Sequence, residues 1–379
     1  MRRHLPLLPW LAAGVFVLTF VLVQAQPSAQ AVTRGTVDTR GKTGAELYLD
    51  TCATCHGIDG AGKAATVLGF DVPTPDFTDC NFATREPDAD WMTVAHEGGP
   101  SRGFSRHMPA FGGALSEADL YTILDHVRTF CADPDWPRGE LNLPRTLHTE
   151  KAYPEDEAVV TLAFGRDPAR VSTELVYEKR FGAKTQIEIK APFAAARLGE
   201  TWAGGAGDLT VGVKRTFAHS LARGAIAAWA AEIILPTGDE SAGLSAATPV
   251  FEGFASYGQI LPRDSFLQFQ GGVEVPADTA KASRETFWRA SAGRTWTEYG
   301  PFGRAWSPMV ELLAARDLES GARTHWDLVP QVQVTLNTRQ HIMLNVGWRT
   351  PLNDRQGRSS QLLFYVLWDW FDGGLRDGW

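Results

Sequence analysis

From about residue 157 to the C-terminus, polar and apolar residues alternate with a period of two, a pattern that few folds can hold for so long. In Lys184–Ala191, the residues Lys184, Gln186, Glu188 and Lys190 alternate with Thr185, Ile187, Ile189 and Ala191. In Phe266–Val275, Gln268, Gln270, Gly272 and Glu274 alternate with Leu267, Phe269, Gly271, Val273 and Val275. In Ile342–Trp348, Ile342, Leu344, Val346 and Trp348 alternate with Met343, Asn345 and Gly347. About twelve such segments follow one another, near 157–165, 169–181, 183–193, 206–217, 222–236, 247–261, 265–276, 284–297, 304–316, 324–336, 339–350 and 359–371. Most reach the length at which a tilted strand crosses a bilayer. Tight turns, as at Phe181-Gly182 and Asn337-Thr338, alternate with longer Gly- and Pro-rich connections at 194–205, 237–247 and 351–358. A soluble sandwich or soluble barrel also alternates. Strand length, the even count and aromatic residues near strand ends favour a closed antiparallel transmembrane β-barrel over 157–379. The candidate interface girdles are Phe287-Trp288, Trp296, Tyr299, Trp306, Trp348, and the run Phe364, Tyr365, Trp368, Trp370 and Phe371.

The first part of the 379-residue chain differs. Arg2 and Arg3 precede a nearly continuous apolar run, Leu5–Val23, and small residues follow at Ala25 and Ala29-Gln30-Ala31. This reads as a signal peptide over 1–31, with an uncleaved anchor as the alternative; either way the rest is exported. Residues 32–41 are small and polar, a tether. Residues 42–132 carry helical patterns near Gly44, over Ala89–Glu97 and over Ser116–Phe130, with Gly-, Pro- and Asp-rich loops between. Ser116 is the N-cap candidate of the last, and Leu120, Ile123, Leu124 and Val127 share one face. Residues 133–156 hold Pro134, Pro137, Pro144 and Pro154 and read as a semi-rigid, Pro-rich linker. The net charge of -8 without a basic run argues against nucleic acid as a partner.

The helical part contains the run Cys52-Ala53-Thr54-Cys55-His56. In an exported protein, C-x-x-C-H is an attachment motif for one covalent haem c: two thiols hold the porphyrin and the adjacent imidazole reaches its iron. A thioredoxin-type pair or half a zinc site fits less well, because no βαβ pattern or second Cys/His pair accompanies it. The opposite axial ligand is expected from Met108, in His107-Met108-Pro109-Ala110-Phe111, just before the last helix; Met92, His96 and His107 compete. Cys80 and Cys131 remain and could form a disulfide or stay as buried thiols. His4 lies in the signal, and His219, His325 and His341 are scattered and read as structural or exposed. No catalytic constellation stands out.

Residues 42–132 thus resemble a class I mono-haem cytochrome c: helix, C-x-x-C-H-G, loops, a Met-Pro loop and a closing helix. The resemblance implies an all-α domain with a partly exposed haem edge, one-electron transfer, and axial ligation by His56 and Met108. Gly57-Ile58-Asp59-Gly60-Ala61-Gly62 is similar to the loop after the motif in that family. Residues 157–379 are similar, more loosely, to transporter-like outer-membrane barrels associated with degradation of aromatic compounds, and the terminal Trp379 resembles their insertion signal. The whole arrangement resembles fused cytochrome–porin proteins proposed as outer-membrane iron oxidases. It departs from them in a fuller cytochrome portion and a smaller barrel.

Two functions follow as expectations. In one, the barrel is a sleeve, and the haem passes single electrons between periplasmic carriers and an external donor or acceptor. In the other, the haem domain is a periplasmic carrier tethered to a channel or anchor for small molecules. A soluble β domain of a larger oxidoreductase is a third. The expected partners are a periplasmic redox protein, an extracellular donor or acceptor, and outer-membrane lipid. Lys184, Glu188, Lys190, Gln268, Gln270 and Glu274 are expected to face a polar lumen.

Overall fold

The computed structural model describes residues 38–166, 169–198, 201–299, 302–355 and 358–369; the signal-like N-terminus and the terminal aromatics Trp370, Phe371 and Trp379 lie outside them. The helical region holds α1 (Gly44–Thr51), α2 (Ala53–His56), α3 (Ala65–Leu68), α4 (Cys80–Ala83), α5 (Asp88–Glu97) and α6 (Glu117–Val127). Its core is self-contained: Leu47, Tyr48, Met92, Leu120, Ile123, Leu124 and Val127 are all buried together. The α1 and α6 helices cross closely at Gly44, where a side chain would run into the Thr122 backbone. Capping boxes start both helices: Thr43 with Glu46, and Ser116 with Asp119.

Fourteen strands follow: β1 (Glu157–Arg166), β2 (Ala169–Phe181), β3 (Thr185–Leu198), β4 (Thr201–Ala206), β5 (Leu209–Ser220), β6 (Ala225–Leu235), β7 (Val250–Leu261), β8 (Ser265–Pro276), β9 (Glu285–Arg294), β10 (Trp296–Tyr299), β11 (Phe302–Asp317), β12 (His325–Thr335), β13 (Ile342–Pro351) and β14 (Gln361–Asp369). Twelve of them close a barrel through β1–β14 and β9–β11 pairings, all antiparallel. The short β4 and β10 are extensions, pairing with β3 and β11. The segment 194–205, expected as a loop, is therefore largely a strand hairpin.

Polarity is inverted relative to a soluble fold. Outward-facing Val160, Leu175, Ile187, Ile189, Phe251 and Phe269 are exposed, whereas Gln186, Glu188, Gln270, Glu311 and Asn345 are buried inside. An apolar outer wall around a polar interior is stable in a bilayer and unstable in water, which makes this a membrane barrel. Trp296 and Trp348 stand outward, as a girdle requires, but Phe287 and Tyr365 do not: both are buried in the interior. Their positions on the lumen-facing register, beside Phe254 for one and Gln333 for the other, turn them inward.

The larger correction concerns 133–156. The larger part of this stretch is not a linker between two bodies. Residues 141–156 lie inside the barrel as a plug, and Leu141, Leu143, Ala152 and Tyr153 are buried against the inner wall. Leu147 packs on Leu313, Val329 and Leu363. An irregular segment leaves backbone groups that need partners, and the wall's polar side chains supply them. Gln331 accepts from the Leu147 N–H (3.1 Å), Glu311 from Thr149 (2.7 Å), Gln270 from Glu150 (3.1 Å) and Gln186 from Glu155 (2.8 Å). Gln268 donates to the Pro144 carbonyl (2.8 Å), Arg289 to that of His148 (2.8 Å), and the Tyr365 hydroxyl to that of Arg145 (2.6 Å). The wall also leaves room: a side chain at Gly347 would strike Leu147, and one at Gly258 would meet Leu143.

Candidate haem site and its seat on the barrel

The Cys52–His56 run follows α1 directly. Cys52 and Cys55 fall one helical turn apart and neither is bridged. Gly57, at φ 81°, ends α2 in a conformation that favours glycine. The Tyr48 hydroxyl donates to the Gly57 carbonyl (2.7 Å), pinning the end of the motif to the core. The loop beyond wraps back over it: Thr74 Oγ1 donates to the Cys55 carbonyl (2.9 Å), and Lys63 Nζ to that of Thr54 (2.6 Å).

The His56 ring stacks on Phe77 (4.9 Å), which leans on Trp91 (5.2 Å), itself covered by the Arg128 guanidinium (4.0 Å). Burial pushes the His56 imidazole down to about 4, so the neutral, ligating form persists at physiological pH. Its Nδ1 is buried without a hydrogen-bond partner among the described residues. Two free thiols, a neutral imidazole with unused hydrogen-bonding capacity and an aromatic wall form a donor set that fits haem c.

Among the candidates for the opposite side, Met92 is fully buried within the helical core. His96 stacks on Phe302 (4.7 Å) and bonds Glu97 (2.8 Å), and His107 stacks on Phe70 (4.1 Å). Met108 is half-buried in a loop held by the Gly99 N–H, which donates to its carbonyl (3.0 Å). Gly98 and Gly99 let this loop approach closely, since a Cβ on Gly99 would lie 3.1 Å from that of Met108. Cys80 and Cys131 are joined in a disulfide, with Cα atoms 5.2 Å apart, tying α4 to the end of α6.

The helical region and the barrel fall in one compact unit, and their seam lies at the end of the barrel bearing the tight turns. His341, in the β12–β13 turn, bonds Glu86 (2.8 Å), and Arg339 in the same turn covers Phe104 (4.5 Å). Arg85 pairs with Asp156 at the root of the plug, and Lys184 with Asp135 (2.6 Å). Asp90, close to this seam, is pushed up to about 7 by burial and then by the negative charge of Glu86, against the pull of Arg102 at 3.1 Å.

The motif, its neighbours and the disulfide pair were legible in the sequence, while the seat on the barrel was not. His341 read as a scattered histidine, and residues 133–156 as a Pro-rich linker. The only available signal was Leu141, Leu143 and Leu147, three leucines at odd positions in a segment otherwise rich in charge and proline.

Residues 39–127 match the family described as "Cytochrome C oxidase, cbb3-type, subunit III". A comparison with curated protein sequences finds no match. Among solved structures, the chain is similar to the KdgM porin (TM-score 0.37, 6% identity, 56% of this chain and 99% of that one). It is also similar to an outer membrane channel from Pseudomonas putida F1 (0.41, 12%, 60% and 99%) and to the NanC porin (0.40, 9%, 56% and 98%). The helical region is a cytochrome c domain, and it is followed by a closed twelve-stranded antiparallel barrel.

Proposed function

We infer that this chain is an outer-membrane protein carrying one covalent haem c at the periplasmic mouth of a closed barrel, where it exchanges single electrons with periplasmic redox proteins. The observation that carries this reading is the plug. Residues 141–156 take up the lumen space that a haem inside a sleeve would need, and the domain sits at the tight-turn end. With an even number of strands, that end also holds the start of β1 and the end of β14, so an exported domain ahead of β1 stays in the periplasm. The barrel then acts as an anchor that holds the haem domain in a fixed pose.

In the domain, the Cys52 and Cys55 thiols would add across the two vinyl groups, each forming one C–S bond and giving its proton to the neighbouring carbon. His56 and Met108 would hold the haem iron, and that pair of ligands would raise its reduction potential. The test uses the full-length protein in detergent. It is expected to retain haem stain in a denaturing gel, to lose it in C52A/C55A, and to reduce or oxidise a small soluble c-type cytochrome. Met108→Ala is expected to lose the weak sulfur-to-iron absorption band; persistence of that band rules Met108 out. A haem-loaded protein that exchanges no electrons with soluble carriers defeats the functional reading.

A further inference from the structure

Met108 sits in a loop that the helical domain holds only in part. Between α5 and α6, residues 98–112 form no helix beyond the single turn Gly99–Arg102, and glycine occupies positions 98, 99, 103 and 112. From inside the domain, Arg102 reaches Asp90 (3.1 Å) and Thr93 (3.3 Å), His107 stacks on Phe70 (4.1 Å), and Phe111 packs on the core. Two further holds come from the barrel.

The first is a hairpin that outgrows the wall. β9 pairs with β8 as far as Arg294. Beyond that point β10 and β11 continue as a two-stranded arm, with Trp296 opposite Trp306 and Tyr299 opposite Phe302. The Arg304 guanidinium roots the arm by donating to the Thr335 carbonyl (2.9 Å). At the end of the arm, the Phe302 ring stacks on His96 (4.7 Å, 25° between planes). His96 in turn backs the far end of the Met108 loop. Its carbonyl accepts from the Gly112 N–H (3.0 Å), the Ala95 carbonyl accepts from the Phe111 N–H (3.0 Å), and a side chain at Gly112 would run into the His96 ring. The second hold is Arg339, in the β12–β13 turn, whose guanidinium covers the Phe104 ring (4.5 Å). The Phe104 N–H donates to the Gly99 carbonyl (2.9 Å), and the Gly99 N–H donates to the Met108 carbonyl (3.0 Å). The barrel therefore grips the loop on both sides of Met108 in sequence.

Groups that orient a metal's ligands tune the metal, and losing one costs roughly 10–100-fold in affinity or activity. We propose that Phe302 and Arg339 are positioning residues for Met108, so that the seat on the barrel, and not the helical domain alone, keeps the thioether in place; this rests on Met108 being the axial ligand. The test titrates oxidised full-length protein in detergent with imidazole, which competes with the thioether for the iron, and follows the main haem absorption band. Wild type is expected to show the weak sulfur-to-iron band and to bind imidazole poorly. Phe302→Ala and Arg339→Gln are each expected to weaken that band and to raise the apparent imidazole affinity about tenfold, while Phe302→Tyr, which keeps the ring, behaves as wild type. Lys184→Gln removes a seam pair with Asp135 that lies outside the loop and is expected to change neither readout. Unchanged imidazole affinity in F302A and R339Q overturns the proposal, as does an equal rise in K184Q. Barrel folding is checked by heat-dependent gel migration; should F302A not fold, R339Q decides alone. A wild-type spectrum without the sulfur band, or a band that survives Met108→Ala, overturns the ligand reading and this proposal with it. A band lost in M108A yet untouched in F302A and R339Q overturns this proposal only.

Discussion

The helical domain and the barrel fill their interiors in opposite ways. The domain folds around its own apolar residues, with Leu47, Tyr48 and Met92 meeting α6. The barrel wall faces its apolar residues outward and keeps a lumen of Gln, Glu, Asn and Arg, which cannot pack on themselves. It takes its core from residues 141–156 of the segment that precedes it. The difference teaches that a domain boundary in composition need not be one in space. The Pro-rich stretch ends the first domain in sequence, yet most of it belongs inside the second.

Replacing residues 141–152 by a Gly/Ser segment of equal length is expected to have the largest effect. It removes several buried side chains worth about 1.5–3 kcal/mol each. Barrel unfolding, followed by heat-dependent gel migration, should shift strongly while the haem-domain spectrum stays unchanged. If both halves fall together, the comparison above fails. Next is Arg145→Ala, which leaves Glu178 (2.6 Å) as a buried charge without its cation, while Glu157 keeps Lys151; breaking such a pair costs about 3–5 kcal/mol. Again the barrel alone should respond.

Two changes probe the domain instead. Cys80→Ser with Cys131→Ser opens a bridge spanning 51 residues, and the loss of about 2–5 kcal/mol should appear in chemical denaturation of the haem domain but not in barrel migration. Tyr48→Phe leaves the Gly57 carbonyl with only the long bond from the Gly60 N–H (3.4 Å), at about 0.5–1.5 kcal/mol, read in the same denaturation curve. The smallest expected effect is on pH. Asp90 rises from its ordinary 3.8 to about 7, so the folded state holds its proton more tightly than the unfolded one. Its contribution is present below about pH 4 and fades as pH rises through about 7; a third of the side chain is exposed, which tempers it. Asp90→Asn should flatten the domain's stability profile in that window.

The local patterns were readable for physical reasons. Period-two alternation located every barrel strand, because one face must meet lipid and the other the interior. The Cys52–His56 run and Ser116 with its following helix carry their chemistry within a few residues. What escaped depended on partners far away in sequence. Gln268 and Gln270 looked like ordinary lumen polarity, since nothing near them shows that they bond the backbone of Pro144 and Glu150. Tyr365 sat in an aromatic run that suggested an interface girdle, but strand register decides its face, and a shift of one residue would have reversed it. Glu86 and His341 are 255 residues apart, so their bond has no local signature.

The central claim is that the haem domain sits beneath a closed barrel and that its electrons run there. The most direct measurement is the absorption spectrum of intact cells after addition of a reductant that cannot cross the outer membrane. The account predicts that the haem stays oxidised in intact cells and is reduced once the outer membrane is permeabilised. Reduction at the same rate in both preparations would contradict it.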